Sequence, residues 1–166
     1  QAAGMKLLLD FHYSDYWADP QKQTIPAAWK GKSIQLLKQA VYDYTKMVMQ
    51  ALKDQGTEPA MVQVGNEINH GMIWPYGSVN NLDSLSQLIY AGIQGVKAVS
   101  PSTSIMIHIA LGGQNAESRF FFDNMISRGV PFDVIGLSYY PKWHNTLADL
   151  EYNLEDLSSR YQKDVI

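Results

Sequence analysis

Residues 131–166 read PFDVIGLSYYPKWHNTLADLEYNLEDLSSRYQKDVI, and this stretch decides the fold. Positions 133–139 form a near-continuous apolar run of strand length. Thr146 then opens a helix whose Leu147, Leu150, Leu154, Leu157 and Tyr161 return to one face every three or four residues. Lys163-Asp164-Val165-Ile166 copies the opening Phe132-Asp133-Val134-Ile135, so a new strand of the same kind begins where the helix ends. A crossover helix between two such strands dictates parallel pairing, because the connection is far too long for a hairpin.

The same alternation extends toward the N-terminus. Residues 105–110 (IMIHIA), 61–65 (MVQVG) and 5–11 (MKLLLDF) are expected strands, and their apolar density suits parallel strands buried on both faces. Ser33 caps a helix carrying Ile34, Leu37, Val41, Tyr44, Val48 and Leu52, closed by Gly56. A second helix spans about residues 82–99 and stops at Ser100-Pro101, and a third spans about 116–128 and ends at Gly129. Strand starts at 5, 61, 105, 133 and 164 are spaced by 56, 44, 28 and 31 residues. A (β/α)8 TIM barrel averages roughly 31 residues per unit, so the last two units match and the first two carry insertions in their strand-to-helix loops. The expected fold is therefore α/β, a partial (β/α)8 TIM barrel of about four βα units with parallel strands. Residues 1–166 form a single partial domain. Gln1-Ala2-Ala3-Gly4 resembles the end of a preceding helix and Ile166 falls inside a strand, so the expectation is a domain truncated at both ends. A doubly wound dinucleotide fold is disfavoured, since no strand is followed by a glycine-rich phosphate turn.

Composition narrows the functional classes. The chain has 166 residues, 46% of them hydrophobic, enough for a substantial core. Its net charge of −3 argues against nucleic-acid or anionic-membrane surfaces, and no apolar run is long enough for a membrane span. Cysteine is absent, which excludes disulfides and Cys-zinc sites. Aromatic and polar residues crowd the strand carboxyl ends, and all four tryptophans (Trp17, Trp29, Trp74, Trp143) lie in strand-to-helix connections. Flat rings beside carboxylates suit a sugar, which offers an apolar C–H face for stacking and a rim of hydroxyls. The plainer alternative is that such rings merely cover the barrel mouth.

Glu67 is the sharpest residue. It follows an apolar strand directly, between Asn66 and Asn69, where a partly desolvated carboxyl can donate a proton to a leaving glycosidic oxygen. Asn66 could bond a sugar 2-hydroxyl. The competing reading makes Glu67 a turn residue whose carboxylate accepts backbone N–H groups. A metal-dependent hydrolase is a further alternative, because His12, His70, His108 and His144 fall one per unit, but no metal-binding spacing links them and no cofactor is expected. The third helix's Phe120-Phe121-Phe122 is expected to pack on the sheet, and Met47, Met49 and Met61 to fill gaps in the core.

Three motifs carry a resemblance. Leu9-Asp10-Phe11-His12-Tyr13-Ser14-Asp15-Tyr16-Trp17-Ala18-Asp19-Pro20 with Lys22-Gln23, Gln63-Val64-Gly65-Asn66-Glu67-Ile68-Asn69-His70-Gly71 with Ile73-Trp74-Pro75, and Ile135-Gly136-Leu137-Ser138-Tyr139-Tyr140-Pro141 resemble glycoside hydrolase family 53, the endo-β-1,4-galactanases. The resemblance implies barrel strands three to six of an enzyme that cleaves β-1,4-galactan, the side chain of type I arabinogalactan in pectin, with retention of configuration. It implies that Glu67 is the general acid/base, with Asn66 its partner, and that the nucleophile, a glutamate on the seventh strand, lies beyond Ile166. Substrate-binding residues are then expected at His12, Asp15, Trp17, Trp74, Tyr139, Trp143 and His144. The expected partner is the polysaccharide, the expected location secreted, periplasmic or cell-surface, and the fragment alone is expected to be inactive. One stretch departs from the family: Ile109-Ala110-Leu111-Gly112-Gly113-Gln114-Asn115 stands where an Asp-Asn-Gly sequence is common. A glycan-binding barrel remnant, or another retaining β-glycanase such as a xylanase or mannanase, are the alternatives. Open sheet edges are expected to invite association.

Overall fold

The computed structural model describes residues 4–166, so Gln1, Ala2 and Ala3, and with them the expected helical end, lie outside the described residues. In chain order the elements are β1 (Leu8–Phe11), α1 (Ile34–Asp54), β2 (Met61–Val64), β3 (Gly71–Met72), β4 (Gly77–Ser78), α2 (Leu82–Lys97), β5 (Ser104–Ile109), α3 (Asn115–Ser127), β6 (Val134–Leu137), α4 (Leu147–Tyr161) and β7 (Asp164–Val165). The main sheet runs β1-β2-β5-β6-β7, with every neighbouring pair parallel. Parallel strands thus alternate with helices in a partial TIM-barrel fold, as the spacing of the apolar runs requires.

Local chemistry accounts for the helix limits. Ser33 accepts from the Leu36 amide at 3.4 Å, Asn81 from the Ser84 amide at 3.2 Å, and Thr146 forms a reciprocal capping box with Asp149. Leu37, Val41 and Met49 of α1 are fully buried, each contributing about 1.5–3 kcal/mol relative to exposure. Met47 corrects an expectation: it is 61% exposed, on the outward face of α1, because the buried stripe of that helix is Leu37, Val41, Thr45 and Met49. Phe121 and Phe122 are buried edge-to-face at 5.4 Å, whereas Phe120 points outward.

The two faces of the sheet differ, and this too departs from the sequence expectation. Val62, Val64, Ile105, Ile107, Ile109 and Ile135 are fully buried on the face that meets the helices. The alternate positions, Asp10, Gln63, Met106, His108, Gly136 and Ser138, form the barrel's inner face, which is polar and in part open. β1 is also shorter than its apolar run. Met5 and Leu7 are exposed, and the Leu7 carbonyl alone reaches across, accepting from Ala60 N at 3.0 Å.

Candidate active site

The carboxyl ends of β1 and β2 build the centre of the site. β2 stops at Gly65, whose φ of +89° and whose closeness to Ile68 leave no room for a side chain. Glu67 follows in a left-handed conformation (φ 51°, ψ 49°), a strained state for a residue with a Cβ, costing about 1–3 kcal/mol. Its main chain is held from three sides. The Gln23 side-chain amide donates to the Asn66 carbonyl at 2.8 Å and to the Glu67 carbonyl at 3.5 Å, and the Glu67 amide donates to His108 Nδ1 at 3.3 Å. Among the described residues, no group donates a hydrogen bond to the Glu67 carboxylate. The turn's bonds are made by the backbone of Glu67, so the alternative of a glutamate satisfied by backbone N–H groups does not describe this residue.

Asn66 is buried and oriented at both ends. Its Nδ2 donates to the Ala18 carbonyl at 2.8 Å, and its Oδ1 accepts from Gln63 Nε2 at 3.1 Å. One N–H of Nδ2 is left over for a further acceptor. His12 is fixed in the same manner. Its Nδ1 accepts from the Ala18 amide at 3.0 Å, so the proton sits on Nε2, which donates to Asp10 Oδ2 at 3.0 Å. Burial is the main cause that raises the Asp10 pKa, partly countered by His12, and the charge of Glu67 raises it further. Asp10, Glu67 and His12 therefore sense one another across the inner face. Trp17 leans over His12 at 4.7 Å between ring centroids and is 74% exposed.

The other expected site residues are placed differently. Trp143 stands 63% exposed on the β6–α4 loop, edge-on to exposed Tyr140 and with the Lys142 ammonium 5.1 Å from its ring centroid. Tyr139 donates its hydroxyl to the Asn145 carbonyl at 3.0 Å, and Trp74 donates its indole N–H to the His70 carbonyl at 3.0 Å. Asp15 and His144 are engaged inside their own loops: Asp15 accepts from the Ala27 amide at 2.7 Å, and buried His144 accepts from the Tyr140 amide at 3.1 Å. Trp29 packs half-buried against Tyr13 and Tyr44. Each of the four histidines has separate partners, His70 donating to the Pro20 carbonyl at 2.8 Å, and among the described residues no group of three His, Asp or Glu side chains could hold a metal ion.

Sequence reasoning missed Gln23, Gln63 and Ser138, which carry much of the site's hydrogen bonding. The available signal was a polar residue at every second position of an apolar strand: Asp10 and His12, Gln63, His108, Ser138. His108 shows the consequence most clearly. Burial, with the neighbouring His12 as a second, electrostatic cause, lowers its pKa from 6.5 to about 4. The unfolded chain takes up that proton near the ordinary value, whereas the folded chain resists until about pH 4. His108 therefore contributes stability that is full above the ordinary pKa and is lost as pH falls toward 4, on the order of 3 kcal/mol. Asp10 has the opposite sign, because its raised pKa makes protonation favour the folded chain. Thermal melts from about pH 7 down to about pH 4 should show a falling Tm, and the fall should flatten in His108→Asn.

The model of Glycosyl hydrolase family 53 matches residues 1–166. This chain belongs to glycosyl hydrolase family 53. It is 49% identical over 170 residues to an uncharacterized protein in the bgaB 5′ region of Niallia circulans, covering 98% of this chain and 46% of that one. It is 40% identical to a probable arabinogalactan endo-beta-1,4-galactanase A of Neosartorya fischeri, covering 100% of this chain and 49% of that one. The solved GH53 catalytic domain of Ignisphaera aggregans superposes with a TM-score of 0.96 at 43% identity, covering 99% of this chain and 45% of that one. The chain spans about half the length of the curated relatives it matches.

Proposed function

We propose that this family 53 chain forms the acid/base half of a retaining endo-β-1,4-galactanase acting on the galactan of pectic type I arabinogalactan. The observation that carries the reading is the Glu67 turn, strained, held by its main chain, and leaving the carboxyl without a donor among the described residues at the mouth of the inner face. In this reading Glu67 protonates the leaving oxygen and later activates water. Asn66 bonds the sugar 2-hydroxyl with its remaining N–H. His12, Trp17 and Trp143 contact the chain of sugars, and Tyr139 and Trp74 shape the loops around it. Asp15 and His144 act through those loops. Retaining hydrolysis needs a second carboxyl about 5–5.5 Å from the first. The family resemblance puts that nucleophile on a glutamate of the seventh barrel strand, outside residues 1–166, and in this reading Asp10 serves to orient His12. The name of the Neosartorya fischeri relative supports the substrate class, and a polymer of that kind, lying outside cells, supports a secreted, periplasmic or cell-surface location for the whole enzyme.

The test is a chimera in which residues 1–166 replace the matching half of the Neosartorya fischeri relative. It should release reducing sugar from β-1,4-galactan, and the 166-residue chain alone should not. Turnover by the isolated chain that survives Glu67→Ala would overturn the reading. Binding of galactan by the chimera with no hydrolysis would favour a glycan-binding protein, and faster turnover of xylan or mannan would favour another β-glycanase.

The exposed edges support a further expectation about the chain by itself. Among the described residues, β1 and β7 each pair on one side only, with Leu8 44% and Ile166 63% exposed. Unpaired parallel edges with apolar neighbours promote strand addition. Light scattering of the 166-residue chain should therefore give a mass above that of one chain, and a monodisperse monomer at high concentration would contradict this.

A further inference from the structure

His108 is not needed as a proton donor or as a sugar ligand in the reading above, yet it touches more of the site's framework than any other side chain of the inner face. Its Nδ1 lies 3.3 Å from the Glu67 amide, 3.0 Å from Gln63 Nε2 and 3.1 Å from Asn66 Oδ1, and its Nε2 lies 3.0 Å from Ser138 Oγ. A backbone N–H can only donate, so Nδ1 must present a lone pair to Glu67. The Gln63 amide supplies a second donor, and it bridges Nδ1 and the Asn66 oxygen, which are both acceptors. The ring proton then belongs on Nε2, where Ser138 accepts it. The opposite tautomer would give the ring N–H one acceptor in Asn66 Oδ1 but would set it against the Glu67 and Gln63 donors and leave the Glu67 amide without its acceptor.

We infer that His108 is a positioning residue for Glu67: with its proton on Nε2, its Nδ1 accepts the Glu67 amide and holds the left-handed turn that aims the carboxyl into the mouth. This rests on the reading of Glu67 as the proton donor. A left-handed glutamate returns to a relaxed conformation once its tethers are cut, and rotating that peptide swings the carboxyl away. The Gln23 amide grips the carbonyl side of the turn, but the amide side is held by His108. The site for this ring is also shaped from the neighbouring strand. A Cβ at Gly136 would approach His108 Cδ2 to 3.1 Å and Met106 Sδ to 2.6 Å, so glycine at that position leaves room for the imidazole beside β6.

Two measurements test the inference separately from the proton-donor reading. In the 166-residue chain, long-range ¹⁵N spectra should show His108 as the Nε2–H tautomer at neutral pH, and the Nδ1–H tautomer would overturn the proposal. Asparagine places its Oδ1 near the position of Nδ1, whereas glutamine reaches toward Nε2, and both are polar and smaller than or similar to the ring. Exchange of the Glu67 amide should stay within about threefold of the parent in His108→Asn and speed up about tenfold or more in His108→Gln. In the galactanase chimera, His108→Gln should lower kcat about 10²-fold with KM little changed, and His108→Asn should recover to within about tenfold of the parent. Equal kcat in the Gln, Asn and parent proteins, alongside a large loss in Glu67→Gln, would overturn the positioning role and leave the proton-donor reading intact. Full activity of Glu67→Gln would remove the proton-donor reading, and with it the positioning role.

Discussion

Glu67→Gln in the galactanase chimera is expected to lower kcat on β-1,4-galactan by about 10³-fold, with galacto-oligosaccharide binding retained. Glutamine keeps the size and polarity of the side chain, so the strained turn and its three main-chain hydrogen bonds need not change. What it removes is the transferable proton. A sugar alkoxide is a poor leaving group, and its departure without protonation forfeits the general-acid contribution, typically 10²- to 10⁴-fold. The leaving group supplies the control. An aryl galactoside with a strongly acidic phenol needs little help to depart, so the loss of its first bond-breaking step should be far smaller than the loss on galactan. A residue that merely braced the loop would depress both substrates alike. Equal losses on the two substrates would remove Glu67 from the acid/base role.

How much of this was legible in the sequence depended on how strongly local chemistry constrained it. The helices were legible because α1, α2 and α4 each bury one side and because the caps at Ser33 and Thr146 act within a few residues; the Asn81 cap of α2 was not read. The order of parallel strands followed from crossover length alone. The β3–β4 hairpin was not legible, since two-residue strands have no periodicity to read. The polar inner face was visible residue by residue but was hidden by the apolar density of the runs. Asp10, Gln63 and His108 interrupt their strands at alternate positions, the signature of a sheet with one wet face. Glu67 was found from its place after a strand, while its left-handed backbone was not, because nothing in a glutamate favours that conformation. It is imposed by Gln23 from the β1–α1 loop and by His108 from β5, both more than forty residues away in sequence.

The Leu111-Gly112-Gly113-Gln114 stretch after β5 carries a second large effect. Gly113→Ala is expected to cost about 3 kcal/mol of stability or more and to weaken binding of galacto-oligosaccharides. A Cβ at Gly113 would be driven into the His144 carbonyl oxygen, a contact of backbone against side chain that no rotamer change can relieve. The loop it belongs to is bonded on every side. Gly112 N donates to the Ser138 carbonyl at 3.1 Å, Asn145 Nδ2 donates to the Gly113 carbonyl at 3.0 Å, and Gln114 Nε2 donates to the Trp143 carbonyl at 3.1 Å. From below, fully buried Asn153 of α4 donates to the Gly112 carbonyl at 2.8 Å and the Leu111 carbonyl at 3.1 Å. The Leu111-Gly112-Gly113-Gln114 stretch thus braces the β6–α4 loop that presents Trp143. Pushing it aside loosens the exposed ring, so the Ala variant loses stability and sugar binding together. Trp143→Ala should separate the two, since that exposed ring bears little of the fold: binding should fall while the urea midpoint stays close to the parent's. Gln114→Ala, which deletes one bond to the Trp143 carbonyl, should cost about 1 kcal/mol. Urea denaturation with calorimetric binding to the chimera reads all three, and a Gly113→Ala protein that unfolds at the parent's midpoint would refute the brace.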